Sequence, residues 1–158
     1  MRALVTGGLG FVGRHLVAHL EAQGDDVVTV DRHGDPPVDI TDAAAVRAAV
    51  EAAAPEAVYH LAGWADVGAS WAHPHEVLRV NAVGTLNVLE ACRHAGVDRV
   101  LSVSSADVYG LVTEADLPLT ESSPLRPTSP YAASKVAADA LAQQAFLGHG
   151  LAVVRVRP

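Results

Sequence analysis

Tyr131 and Lys135 stand four residues apart behind Pro130, a spacing that puts both side chains on one face of a helix. A lysine ammonium beside a phenol favours the phenolate, which equips Tyr131 to take or give a proton near neutral pH. Ser104 and Ser105 close an apolar run, Arg99–Ser104, that reads as a strand. Ligands of open parallel sheets collect at the carboxyl ends of the strands, so these serines are placed to face Tyr131 across a cleft. Their bland alternative is to cap the strand or its loop. A second chemistry lies in Thr6-Gly7-Gly8-Leu9-Gly10-Phe11-Val12-Gly13, directly behind the apolar Ala3-Leu4-Val5. Gly7 suits a tight turn, Gly10 lets backbone approach a pyrophosphate, and Gly13 lets the following helix lie close to the sheet. Free N–H groups at that helix start, with the helix dipole, favour phosphates. Asp31 ends the next apolar run, 18 residues after Gly13. A carboxylate there meets adenosine ribose hydroxyls and favours NAD; Arg32, next in line, leaves NADP possible.

These groups need a scaffold, and the sequence supplies one. Short apolar runs at Ala3–Thr6, Val27–Val30, Ala57–Leu61, Arg99–Ser104 and Leu151–Val156 read as strands of a parallel sheet buried on both faces. Helical stretches alternate with them over Phe11–Gln23, Asp42–Ala53, Pro74–His94 and Pro130–Leu147. Gly24, Pro55 and Gly96 mark three helix ends, and Thr41 is the expected N-cap before Asp42. The succession predicts an α/β fold, a Rossmann-type doubly wound parallel sheet with helices on both faces. Gly110–Ser129, rich in Pro, Thr and Ser, is the long segment left without an element, and loops of that length in compact domains are usually functional or mobile.

Composition narrows the function classes. The 158 residues suit one domain, and 50% hydrophobic content is ordinary for a globular chain. A net charge of -7 without a basic stripe argues against nucleic acid as a partner. No apolar run reaches membrane-spanning length, and MRALVTGG lacks a signal-peptide pattern. With one cysteine, Cys92, no internal disulfide can form. Together these point to a soluble chain in the reducing cytoplasm. His15 and His19 share a helix face, but no third ligand is spaced to join them, so no metal is expected. Trp64 and Trp71 read as packing or cleft-wall residues rather than a base-stacking platform.

The motifs, in this order, resemble those of the extended short-chain dehydrogenase/reductase family, the nucleotide-sugar epimerases, dehydratases and ketoreductases. The similarity spans essentially the whole chain. Thr6–Gly13 matches the cofactor loop T-G-x-x-G-F-x-G, and Asp31 matches the acidic ribose residue. Asp39-Ile40 resembles the adenine-contacting pair, and His60-Leu61-Ala62-Gly63 the H-x-A-[AG] turn. Asn81–Thr85 matches N-x-x-G-T, Ser104–Gly110 matches S-S-x-x-V-Y-G, and Tyr131 with Lys135 matches Y-x-x-x-K. The resemblance implies that Gly7, Gly10, Phe11, Val12, Gly13, Asp31, Arg32, Asp39, Ile40, Leu61, Ala62, Gly63 and Asn81 form the cofactor pocket. It further implies that Ser105 hydrogen-bonds the sugar oxygen, that Tyr131 shuttles its proton, and that Lys135 holds the nicotinamide ribose.

Sugar 4,6-dehydratases of the family carry Asp-Glu after the catalytic Ser/Thr; here Ala106-Asp107 supplies one carboxylate of the two, which disfavours elimination. His60–Trp71 and Leu117–Lys135 look most like GDP-4-keto-6-deoxy-mannose reductases, with 4-epimerases close behind. The family also continues past the R-P segment, here Arg157-Pro158, into a smaller sugar-nucleotide-binding domain, and it usually dimerises through the helices bearing Asn81 and Tyr131. Residues 1–158 are therefore expected to form an NAD(P)-binding domain that holds cofactor and turns over poorly alone. A cofactor-sensing module and an inactive fragment are the rival expectations.

Overall fold

Successive side chains of a strand face opposite sides, and the strands of this chain divide their apolar residues accordingly. Leu4 enters one hydrophobic layer, while its neighbours Ala3 and Val5 enter another. In the computed structural model, which describes residues 1–158, the strands are β1 (Arg2–Thr6), β2 (Asp26–Val30), β3 (Ala57–His60), β4 (Arg99–Val103) and β5 (Val153–Val156). All pair in parallel, in the order β2-β1-β3-β4-β5. The helices are α1 (Phe11–Ala22), α2 (Ala43–Ala53), α3 (Val67–Ser70), α4 (Pro74–Leu78), α5 (Gly84–Ala95) and α6 (Pro130–His149). Between β1 and β3 the chain reverses its direction of travel across the sheet. That crevice is where open α/β sheets bind ligands.

The larger layer joins Leu4, Val58 and Val100 of the sheet to Val46, Val50, Val88, Leu89 and Ala142 of α2, α5 and α6. Full burial of such aliphatic side chains contributes about 1.5–3 kcal/mol apiece. Cys92 lies fully buried in this layer, and burial pushes its thiol up to about 12. The second layer sets α1, through Leu16, Val17 and Leu20, against Ala3, Val5 and Tyr59. It thins toward β5: Leu101 and Val103 are half-buried, and Val154 is 58% exposed.

Several elements depart from the sequence reading. Thr41 is not the cap of α2; Asp42 is, its carboxylate accepting from the Ala44 and Ala45 N–H groups at 3.0 Å each. Thr41 Oγ1 instead accepts from Arg79 Nη1 at 2.6 Å. The single helix expected over Pro74–His94 runs without a gap to Ala95, but with a π-helical turn at Arg79–Val83 inside it; just beyond that turn, Thr85 Oγ1 donates to the Asn81 carbonyl at 2.6 Å. Leu61 and Ser104 fall just beyond their strands, and β5 begins at Val153 rather than Leu151. The short α3, capped by Asp66 through the Ala69 N–H at 2.8 Å, has no periodicity to announce it. Within Gly110–Ser129 only Glu114–Asp116 forms a 3-10 turn, and the loop is tied back by Arg126 N–H donating to the Val108 carbonyl at 2.9 Å.

Candidate active site

A cleft of about 580 Å³ opens at the carboxyl ends of β1 and β3, within the size range of small-molecule sites. Its floor is the glycine loop. A Cβ on Gly13 would stand 2.1 Å from the Gly7 carbonyl oxygen, so α1 can lie this close to the loop only without a side chain there. Gly7 itself has φ +72°, and a Cβ on it would press the Ala62 backbone nitrogen at 2.7 Å. Gly10 caps α1 and, as glycine, supplies no side chain to satisfy its first N–H groups. Those groups therefore remain available to an anion. A dinucleotide pyrophosphate fits this cradle by both shape and charge.

Another wall of the cleft carries two carboxylates, Asp31 and Asp39. Asp31 is half-buried; its Oδ2 accepts from Leu9 N–H at 3.2 Å and its Oδ1 from His33 N–H at 3.0 Å. Each oxygen keeps a further lone pair with which to accept a hydroxyl proton. Arg32 Nε donates to His33 Nε2 at 3.1 Å along the same wall. Asp39 accepts from Thr41 N–H at 2.8 Å, and that hydrogen bond is the main reason its carboxyl sits below the usual range. Ile40 completes the wall, backed by Gly84, where a Cβ would meet Ile40 Cδ1 at 2.6 Å. Phe11, Val12, Leu61, Ala62 and Gly63 also line the cleft, as do Glu76, Arg79 and Val80, which the motifs had not singled out.

Lys135 and Tyr131 lie past the Gly63 end. The position of a Cβ on Gly63 is 3.6 Å from Lys135 Nζ. Lys135 is 8% exposed, donates to the Val103 carbonyl at 3.0 Å, and stands 6.0 Å from the Tyr131 ring centre. Burial lowers its ammonium to about 8. Tyr131 is held from behind. Ser70 Oγ accepts its N–H at 3.3 Å, and Ser129 caps the next residue, Ala132, at 3.0 Å. Ser105, at the carboxyl end of β4, accepts from Asp107 N–H at 3.2 Å. That bond uses a lone pair and leaves its O–H free to donate. Ser104 is different: its hydroxyl is buried without a partner.

Asn81 does not line the cleft. Its Oδ1 accepts from Trp64 N–H at 2.7 Å, and its Nδ2 donates to Ser134 Oγ at 2.9 Å. Both ends of the carboxamide thus brace the turn after β3 against α6. Ser70 and Ser134 went unread because Tyr131 and Asn81, which they meet, lie 61 and 53 residues away; Thr85 was read within the N-x-x-G-T match, without its bond to His60. Ser134 had one signal, its place within the Tyr131–Lys135 motif.

The NAD dependent epimerase/dehydratase family model matches residues 3–158. The chain is 37% identical to a GDP-6-deoxy-D-mannose reductase of Pseudomonas aeruginosa over 99% of its own length and 51% of the relative's. It is 37% identical to a UDP-glucose 4-epimerase of Streptomyces lividans, over 97% of this chain and 50% of that one. It spans about half the length of these curated relatives. Among solved structures, the Thermus thermophilus UDP-glucose 4-epimerase complexed with NAD superposes with a TM-score of 0.92 at 37% identity, covering 99% of this chain and 54% of the other. The Pseudomonas aeruginosa protein RMD complexed with NADPH gives 0.86 at 36% identity, covering 100% and 53%. A parallel sheet with this strand order, its glycine cradle and these likenesses lead to one assignment: the chain belongs to the NAD-dependent epimerase/dehydratase family.

Proposed function

We propose that this chain is the cofactor-binding and proton-transferring part of a nucleotide-sugar 4-ketoreductase. The observation that carries the reading is continuity: one cleft runs from the uncapped start of α1 to Gly63, and Lys135 lies directly beyond it. The first-turn N–H groups of α1 hold the pyrophosphate, and Asp31 holds the adenosine ribose. Bound NAD(P)H supplies a hydride to the sugar carbon at position four. Ser105 donates its free O–H to the oxygen on that carbon and fixes its direction. Tyr131 delivers the proton that turns this oxygen into a hydroxyl, and Lys135 orients the nicotinamide ribose beside it.

A second reading, 4-epimerase, is favoured by the likeness to the NAD-bound epimerase. It uses the same residues, and the hydride returns to the opposite face of the sugar.

Titration with NADH and, in parallel, NADPH, followed by nicotinamide fluorescence, tests the cleft. Saturable binding with NADH preferred is expected; an equal or better NADPH would show Arg32 outweighing Asp31, and silence from both would end the reading. Tyr131→Phe should then lower turnover of a nucleotide-sugar ketone by about 10²–10⁴-fold while leaving NADH affinity unchanged. Undiminished turnover would remove Tyr131 from the proton-transfer role.

A further inference from the structure

His60 ends β3 beside Thr6, its register partner at the end of β1, and it is 3% exposed. Its Nδ1 lies 2.8 Å from Thr6 Oγ1 and its Nε2 lies 3.0 Å from Thr85 Oγ1. The surrounding bonds decide which nitrogen carries the proton. Thr85 has one hydroxyl proton, and the Asn81 carbonyl, which can only accept, receives it at 2.6 Å. Thr85 Oγ1 must therefore accept from Nε2–H. Burial, reinforced by the Lys135 charge, pushes the imidazole down to about 3, so the ring carries a single proton. Nδ1 is then the acceptor for the Thr6 hydroxyl, whose oxygen accepts from Ala62 N–H at 3.3 Å.

The donor relay ends at the Asn81 carbonyl, and the covalent frame of Asn81 carries the link on to its side chain. Asn81 Nδ2 donates to Ser134 Oγ at 2.9 Å, and Ser134 donates to the Tyr131 carbonyl at 2.6 Å. The two polar ends of His60 thus join the residue that precedes the glycine loop to the backbone of the residue that shuttles the proton. Asn81 sits in the π turn, a geometry that recurs at functional sites. Buried polar chains with every member satisfied rigidify what they connect.

We propose that His60, as its Nε2–H tautomer, is a positioning residue that couples the occupied glycine loop to the backbone of Tyr131 through Thr6, Thr85, Asn81 and Ser134. This rests on the reading of the cleft as a dinucleotide site. A ligand that reaches only the glycine loop and Asp31 should then be felt at α6.

The test uses ADP, which fills that part of the cleft and carries no nicotinamide to touch Tyr131 directly. In the labelled chain, imidazole nitrogen spectra should show His60 as the Nε2–H form, without titration between about pH 5 and pH 8. Saturating ADP should shift the amide signals of Gly10–Gly13 and also those of Ser134 and Tyr131. His60→Gln keeps a donor toward Thr85 and loses the acceptor for Thr6; His60→Asn does the reverse. Either variant should keep the Gly10–Gly13 response and lose the α6 response. Thr85→Val cuts the same chain at its next link and stands in should either ring replacement unfold. A merely structural His60 would lower the melting temperature and leave transmission intact, and that result overturns the proposal. So does an Nδ1–H or protonated ring, or a wild type that responds at Gly10–Gly13 and not at α6. A wild type that responds nowhere to ADP overturns the dinucleotide reading itself.

Discussion

Gly13→Val is expected to lower NADH affinity by at least about a hundredfold, equivalent to roughly 2.7 kcal/mol, and to destabilise the fold as well. A Cβ at this position would meet the Gly7 carbonyl oxygen at 2.1 Å, Gly8 Cα at 2.6 Å and the Gly8 carbonyl carbon at 2.8 Å. All three are backbone atoms, so no rotamer change relieves the contact; α1 must move off the loop. Overpacking of this kind costs typically about 1–3 kcal/mol in stability, and the moved helix no longer aims its N–H groups into the cradle. Gly10→Ala separates the two effects. Its Cβ would meet only the Gly7 carbonyl oxygen, at 3.1 Å, which a shift of a few tenths of an ångström relieves. That variant should melt close to wild type yet bind NADH weakly, because the methyl occupies the space where backbone approaches the pyrophosphate. Calorimetric titration beside thermal melting reads both. Wild-type NADH affinity in Gly10→Ala would show that no pyrophosphate lies over Gly10.

The second large effect concerns stability. Asp139 is 3% exposed on α6 and receives two arginines from the end of the chain. Arg157 grips it with Nε at 2.8 Å from Oδ2 and Nη2 at 2.9 Å from Oδ1, and Arg155 adds Nη1 on Oδ1. Arg157 Nη1 also donates to Tyr109 Oη at 2.8 Å. Removing one member of such a buried group leaves charge uncompensated, at a cost of about 3 kcal/mol. Asp139→Asn should therefore melt about 6–12 °C lower. Burial alone would raise the Asp139 carboxyl; the hydrogen bonds from Arg157 and Arg155 outweigh it and hold the group below its ordinary value. A carboxyl lowered in the folded state stabilises fully above its unfolded pKa, about 3.9. That contribution fades as pH falls through the lower folded value. Wild type should lose this increment as the medium is acidified below about pH 4, and Asp139→Asn should have none to lose. Equal melting temperatures for the two proteins at neutral pH would show that the arginines find other partners.

How much of this was legible from the chain depends on distance along it. The glycine loop, Asp31 and the Tyr131–Lys135 pair are local patterns, so spacing alone placed them on the right elements. The parallel sheet was legible because its strands are short apolar runs separated by helical stretches. Asn81 was legible as a motif and misread as a cleft residue, because its partners Trp64 and Ser134 lie 17 and 53 residues away. Ser70, 61 residues before the tyrosine whose N–H it accepts, offers no local pattern at all. The cap of α2 was misplaced by one residue because Thr41 and Asp42 are both competent caps; the carboxylate reaches two N–H groups, and the hydroxyl is taken by Arg79.

Tyr131, Lys135 and Asp139 form a single row down α6, at intervals of four, and each is fastened to a different part of the molecule: Ser70, the carbonyl of Val103, and the arginines of β5 and its end. An axial slip of the helix would therefore break all three fastenings at once. Sliding it by one residue would move the Tyr131 hydroxyl by about 1.5 Å along the helix axis; under the proposed proton-transfer role, a 1 Å error can cost about a hundredfold in rate. Because all three fastenings are made by residues of this chain, the height of α6 above the sheet follows from the fold itself.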